Sequence, residues 1–375
     1  MINGKKIAIV DSEYRGHHLE YLYNVYDYLN KINMNSEIHL FCNHRFADYA
    51  KENSLREVKS NKNIKIVEDK FDPLRGSWLQ KTKLAINHLT FLKEFDEIIM
   101  MDINHYFPAL LSMPSYSKIL SVRGIYFNPF YREKNIAKNI IRKSILFLLS
   151  KLYKNRAKIF ILNDPIAATK INENLKTNIF RSIPDPIPEY FYNDINHGKK
   201  YLYDFAMIGV IDDRKGIYQF LESIKLSKKE NRDMISGRVK REHKVKVKST
   251  IENLLKQNYH IDYEDRFLSN QEFVDKLSKS KVILLPYLTR GLSSGILGHA
   301  VAANRPVLGT SKGLLGDLIK AYNLGTTFDP KDLEMFSHYL NNIHEIKYDE
   351  NGRKKYLNRN SIAKFCSILF SGLDL

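Results

Sequence analysis

Short apolar runs alternate with longer stretches of helical spacing along almost the whole chain. Runs at 7–10, 38–41, 64–67, 97–101, 118–122 and 159–162 read as strands. They are nearly continuous rather than alternating, as expected of parallel strands covered on both faces. Between them, Leu19, Leu22, Tyr23, Tyr26 and Leu29 fall on one helical face, as do Ile140, Ile141, Ile145, Leu148, Leu149 and Leu152. The pattern breaks at Ser182-Ile-Pro-Asp-Pro-Ile-Pro188, where three prolines remove amide donors and fix backbone angles. It then restarts, with strands predicted at 204–208, 233–236, 281–285 and 306–308 and helices at 217–226, 246–257, 271–279, 296–303 and 314–322.

Strand–helix alternation on both sides of a proline-rich hinge predicts an α/β chain of two Rossmann-like, doubly wound parallel-sheet domains facing a cleft. The boundaries are set at 1–190 and 191–352, with 353–375 a C-terminal helix packing back on the first domain. The formal net charge of +17 favours anionic partners: nucleic acid, lipid headgroups or phosphorylated small molecules. The two cysteines, Cys42 and Cys366, form no Cys-x-x-Cys pair, which excludes a zinc ribbon or thioredoxin-type site and fits a reducing cytoplasm. No metal site is expected. The N-terminus lacks the form of a signal peptide, and no stretch approaches the roughly 20 apolar residues of a membrane span.

In doubly wound sheets, ligands bind beyond the carboxyl ends of strands, so the loops there carry the candidate chemistry. The strand at 204–208 is followed by Gly209, then Arg214, Lys215 and Gly216 at the mouth of a helix. Two cations beside free helix amides suit a diphosphate. No Walker sequence is present, so an ATPase loop is not supported. The next strand ends in Ile235-Ser-Gly237-Arg238, again a glycine and an arginine at a strand end. After 281–285 come Pro286, Arg290, Gly291, Ser293, Ser294 and Gly295, with His299 one turn into the helix. Ser293 or Ser294 could cap that helix, or leave its amides for an anion.

This ordered set resembles the GT-B glycosyltransferases, and within them the large retaining group called family 4, over about residues 200–330. Gly209…Arg214-Lys215-Gly216 looks like that family's diphosphate element, and Gly237-Arg238 like its next glycine loop. Arg266-Phe-Leu268-Ser269 looks like the loop around the nucleoside base. Pro286…Arg290-Gly291…Arg305-Pro306-Val307 looks like the donor-sugar and ribose region. The family's pair of glutamates is replaced here: Arg290 stands near the first and His299 near the second, with no glutamate between Glu272 and Glu334. The resemblance implies a sugar transfer from a nucleoside-diphosphate sugar to a glycan or lipid-linked acceptor, with retention of configuration and without a metal. It further implies a place in bacterial surface polysaccharide or glycoconjugate synthesis. The nucleotide sugar is then a substrate, and no cofactor is expected.

In the first half, Gly16, His17 and His18 open a helix just after the first strand, on the side expected to meet the acceptor. Asp102 and His105 follow another strand, and Arg123 is placed at the end of the next. His105 could touch the transferred sugar, and Arg123 could hold an anionic acceptor or the donor phosphates. Arg214 and Lys215 are assigned the charge of the leaving diphosphate. The helical stretch 137–156 carries Lys138, Arg142, Lys143, Lys151 and Lys154 beside an apolar stripe. It reads either as a core face or as a surface resting on an anionic bilayer, with the protein peripheral to the inner face of the plasma membrane. Two other functions fit the same residues. A nonhydrolysing nucleotide-sugar epimerase would use cleft carboxylates such as Asp11, Glu13 and Asp102. A non-enzymatic basic protein would bind nucleotide or nucleic acid, but no nucleic-acid motif is present and no such partner is expected.

Overall fold

The computed structural model describes residues 4–14, 16–72, 76–113, 121–127, 136–154, 156–192, 201–228, 230–289, 291, 293–373 and 375. The chain forms two compact units: Met1–Pro186 with Ile362–Leu375, and Ile187–Ser361.

The first unit is built on a seven-stranded sheet in the order β3-β2-β1-β4-β5-β6-β7. Its strands are β1 (Lys6–Asp11), β2 (Glu37–Cys42), β3 (Ile64–Glu68), β4 (Glu97–Met100), β5 (Ser121–Tyr126), β6 (Ala157–Leu162) and β7 (Phe180–Ile183), all parallel. Between them run α1 (His18–Leu29), α2 (Arg45–Glu52), α3 (Trp78–Leu92), α4 (Phe107–Ser112), α5 (Ile136–Leu152) and α6 (Pro165–Leu175). Local chemistry sets several helix starts. Ser77 and Gln80 form a reciprocal capping box at α3, and Asp164 caps α6 ahead of Pro165. Alternate residues of the central strands, such as Ala8 and Val10, Ile98 and Met100, Ile159 and Ile161, face one core shared with Leu89 of α3 and Leu149 of α5.

The second unit carries a six-stranded parallel sheet in the order β10-β9-β8-β11-β12-β13. Its strands are β8 (Tyr203–Ile208), β9 (Arg232–Ser236), β10 (His260–Glu264), β11 (Ser280–Leu285), β12 (Val307–Thr310) and β13 (Gly325–Phe328). Its helices are α7 (Ile217–Lys225), α8 (Lys244–Lys256), α9 (Asn270–Ser278), α10 (Gly295–Ala302), α11 (Gly313–Ala321), α12 (Leu333–Asn341) and α13 (Glu350–Arg359).

The structure departs from the pattern-based reading in three places. First, β7, β10 and β13 are strands that the apolar pattern did not reveal. Second, positions 118–120 of the strand expected over 118–122 lie outside the described residues, and the strand observed at Ser121–Tyr126 places Arg123 mid-strand rather than at a strand end. Third, the expected terminal helix is two helices: α13 belongs to the second unit and α14 (Ile362–Leu369) to the first. Phe365 of α14 meets Tyr21 of α1, and Phe370 stacks on Tyr28.

Each sheet has one point where strand order reverses, β1/β4 in the first unit and β8/β11 in the second. Loops splay apart there and leave a crevice beyond the carboxyl ends, the usual ligand position of such sheets.

Candidate functional site

At the β1/β4 reversal, Asp11 ends its strand almost fully buried. Gly16 takes a left-handed turn (φ +67°), His17 sits at the N-cap position and α1 begins at His18. That geometry brings His18 Nδ1 to 3.0 and 3.1 Å from the two carboxylate oxygens of Asp11. Burial pushes the Asp11 acid up, with His18 opposing it. Burial alone would lower His18, but Asp11, with Asp102 and Glu13, outweighs it and holds the imidazole above its ordinary range. His17 does not cap the helix; its ring stacks on Tyr21 at 5.9 Å.

Beyond β4, Asp102 caps a short turn through the Asn104 amide (2.9 Å) and lies 3.4 Å from His105 Nε2. Asp11, Ser12, Glu13, Asp102 and His105 line a small pocket with Phe71 and Tyr106 as its aromatic walls. Behind it, Ser12 donates to Asp69, and Tyr106 meets His88 Nδ1 at 2.9 Å. Carboxylates, an imidazole and ring faces in one pocket suit a neutral, hydroxyl-rich ligand.

Arg123 does not take part. Its buried guanidinium reaches Glu97, at the opposite end of the sheet, and donates to the carbonyls of Leu369 (3.3 Å) and Ser371 (2.9 Å). Lys158 donates to the same Ser371 carbonyl at 2.7 Å. The two cations thus satisfy the end of α14 and fasten it to the first unit.

Glu20 lies buried in the first turn of α1, near Asp185, which accepts a hydrogen bond from the Tyr21 hydroxyl. Burial, aided by the Asp185 charge, pushes the Glu20 acid up to about 8. In the unfolded chain a glutamate titrates near about 4.3. Between these values the folded state holds a proton that the unfolded state has shed, so stability falls as pH rises through this window and levels above it. Glu20→Gln should therefore melt with the wild type near pH 4 and progressively above it towards pH 8, measured by thermal unfolding. A constant difference across that range would mean that Glu20 is ionised in the fold.

At the β8/β11 reversal, three loops converge. Gly209 follows β8 with φ +99° and Gly237 follows β9 with φ +136°. A Cβ on Gly237 would stand 2.1 Å from the Gly209 carbonyl oxygen, so the two turns touch backbone to backbone. The loop after β8 is also fastened to the one after β11, where the Leu288 amide donates to the Arg214 carbonyl (2.8 Å). Lys215 projects into this junction. Its ammonium lies 5.5 Å from the centre of the Tyr287 ring and would be 3.6 Å from a Cβ on Gly209. Among the described residues no carboxylate comes within ion-pair distance of it.

The two cations expected to meet the diphosphate charge together do not stand alike. Arg214 folds back on Asp212, donating through Nε (2.9 Å) and Nη2 (2.6 Å). Lys240 takes the same carboxylate oxygen at 2.7 Å. Asp212 is fully buried and also caps the turn at the Lys215 amide (3.2 Å), so it shapes the loop while neutralising Arg214.

Ser294 occupies the N-cap position of α10 but makes no capping bond; its hydroxyl pairs with the Tyr287 hydroxyl at 3.1 Å. Gly295 then opens the helix and Ser293 lies half-buried just ahead. His299 is packed inside the unit, hydrogen-bonded through Nδ1 to the Tyr192 hydroxyl and edge-on to Phe273. Leu268 is buried in the loop between β10 and α9, and Arg238 is exposed beyond Gly237. Arg290 lies outside the described residues. Gly209, Lys215, Gly237 and Ser294 are thus brought to one place. Arg214 and His299 are committed elsewhere. Sequence reasoning missed Tyr287, which supports both Lys215 and Ser294, and Asp212; a carboxylate two residues before an arginine was the available signal for the latter.

No family model matches this chain, and no curated protein matches it in sequence. Solved structures do match it along nearly its whole length. HepE of Anabaena, in complex with UDP and glucose, is 12% identical over 97% of this chain and 98% of its own, with a TM-score of 0.66. A glycosyltransferase of Rickettsia africae is 14% identical over 99% and 100%, also at 0.66. The UDP-forming α,α-trehalose-phosphate synthase of Burkholderia vietnamiensis is 11% identical over 98% of both chains, at 0.67. The fold is GT-B. At such identities the likeness is one of architecture, and the GT-B frame supplies the two strand reversals around which the chain's own residues are arranged.

Proposed function

We propose that the chain is a glycosyltransferase that moves a sugar from a nucleoside-diphosphate sugar to a glycan or lipid-linked acceptor. One observation carries this reading: the Lys215 ammonium, without a carboxylate partner among the described residues, stands at the Gly209 turn beside a helix whose N-cap hydroxyl is turned away. A cation without an ion-pair partner beside a helix N-terminus that lacks a side-chain cap favours a diphosphate. The charge that grows on the leaving diphosphate is met by groups already in place. The reaction asks for no cofactor beyond its nucleotide-sugar substrate. HepE, among the similar structures, has been solved with UDP-glucose, which makes UDP the first nucleotide to try.

On the acceptor side, the pocket of Asp11, Asp102 and His105 would orient a hydroxyl, with His18 bonded to its Asp11 wall and Gly16 and His17 in the turn that leads to His18. The family likeness implies retention. The Asp11–His18 pair favours a second course, in which His18 takes the acceptor proton and configuration inverts. Proton NMR of the product anomer separates the two. An epimerase would instead release a changed nucleotide sugar without any acceptor.

The reading is tested by thermal shift against UDP, GDP, CMP and their sugars. A ligand bound only by the folded chain raises the melting temperature. A rise with one nucleoside diphosphate and little with CMP supports the proposal. No rise with any of them, together with salt-sensitive binding to generic DNA, would replace it with a basic binding protein.

A further inference from the structure

The first unit carries a face that glycosyl transfer does not use. Helices α3 and α5 both pack against α4 and send Leu89 and Leu149 into the same core, so their opposite sides are turned outward on one side of the sheet. Those outward sides are not polar. On α3, Trp78 is 66% exposed, Leu79 70% and Phe91 56%. On α5, Ile140 is 61% exposed and Ile141 60%, with Phe147 and Leu148 exposed one to two turns further on. The apolar stripe of α5 is therefore split: Leu146 and Leu149 fill the core, while these four do not.

Charge on this face has one sign. Neither α3 nor α5 contains a single Asp or Glu, whereas both carry lysine, with Lys83, Lys143 and Lys151 exposed. A second copy of this face would set lysine against lysine with no acid to offset it. A bilayer of anionic lipid fits it, because its surface repels acid, attracts lysine and accepts exposed tryptophan and aliphatic side chains at the headgroup boundary. No helix among the described residues is long and apolar enough to cross a membrane, so the contact would be one of lying on the surface.

We propose that the α3–α5 face docks on an anionic lipid bilayer, with Trp78, Leu79, Ile140 and Ile141 entering the headgroup boundary and Lys83, Lys143 and Lys151 meeting lipid phosphates. The face lies wholly within the first unit and is independent of the donor site, so failure of one reading leaves the other standing.

The chain carries its own probe, because Trp78 is its sole tryptophan. With full-length protein and vesicles of phosphatidylcholine plus phosphatidylglycerol, Trp78 emission should shift to the blue, lose access to an aqueous quencher, and the protein should float with the vesicles. Vesicles of phosphatidylcholine alone should do this weakly. The pair Lys143→Glu and Lys151→Glu, both exposed and in contact with no more than the exposed Phe147 ring under Lys151, should reduce flotation at least about tenfold with little change in melting temperature. Trp78→Ser should weaken binding while leaving nucleotide-induced stabilisation intact. The proposal is overturned by flotation that ignores lipid charge, by an unshifted Trp78 in bound protein, or by charge-reversal variants that float like the wild type. It is equally overturned if sedimentation without lipid finds a dimer that Trp78→Ser dissociates, since a second copy would then cover the face.

Discussion

Lys215→Ala should lower turnover by roughly 100- to 1000-fold, the usual cost of removing one fixed group that meets transition-state charge. Lys215 is a cation at the β8/β11 reversal that no described carboxylate neutralises, and its ammonium is held against the Tyr287 ring rather than in bulk water. The same change should leave the fold almost untouched, because a half-buried lysine paired only with a ring contributes about 1 kcal/mol or less. Turnover is read as release of the nucleotide that stabilises the protein. Arg214→Ala is the internal control: its guanidinium is already satisfied by Asp212, so a loss of less than about tenfold is expected. Equal, severe losses in both variants would mean that Arg214 leaves Asp212 when the donor binds. A near-normal Lys215→Ala enzyme would remove the assignment altogether.

Gly237→Ala should be among the most damaging single methyls in the second unit, and the one that strikes the β8/β11 reversal itself. Its φ of +136° is closed to ordinary side chains, and the added Cβ would lie 2.1 Å from the Gly209 carbonyl oxygen. No side chain can yield there, since both partners are backbone. The turns after β8 and β9 must part, at a cost of about 3 kcal/mol or more from strain and overpacking together. For a unit of this size that lowers the melting temperature by roughly 6–12 °C. Because Gly209 is displaced with it, nucleotide-induced stabilisation should vanish even below the melting transition. A variant that melts lower but still binds nucleotide normally would separate the glycine contact from the donor site.

Much of the fold was legible in the apolar pattern, and the exceptions share a cause. The strands that escaped, β7, β10 and β13, all lie at sheet edges. An edge strand has one neighbour and a wetter surface, so polar residues are tolerated, as in His260-Ile-Asp-Tyr-Glu264 and Gly325-Thr-Thr-Phe328. Central strands such as β1 are buried on both faces and announce themselves. For the site, loop glycines were readable because a turn beside a ligand needs them. Which cation remained free was not. Arg214 and Lys215 are adjacent in sequence, and only the loop's path decides that one reaches Asp212 and the other Tyr287. Arg123 was misplaced for a related reason: a strand shifted by a few residues turns a ligand contact into a buried tie for the C-terminus. The Asp11–His18 pair, seven residues apart across a glycine turn, needed three dimensions to be seen.

Everything proposed for the second unit rests on a nucleoside diphosphate binding at the β8/β11 reversal. Amide hydrogen exchange of the full chain, with and without saturating UDP or GDP, addresses it directly. Protection is expected in the Gly209–Gly216 loop and the first turn of α10, and is expected to disappear in Lys215→Ala. Protection confined to the β1/β4 end of the first unit, or none with either nucleotide, would contradict it.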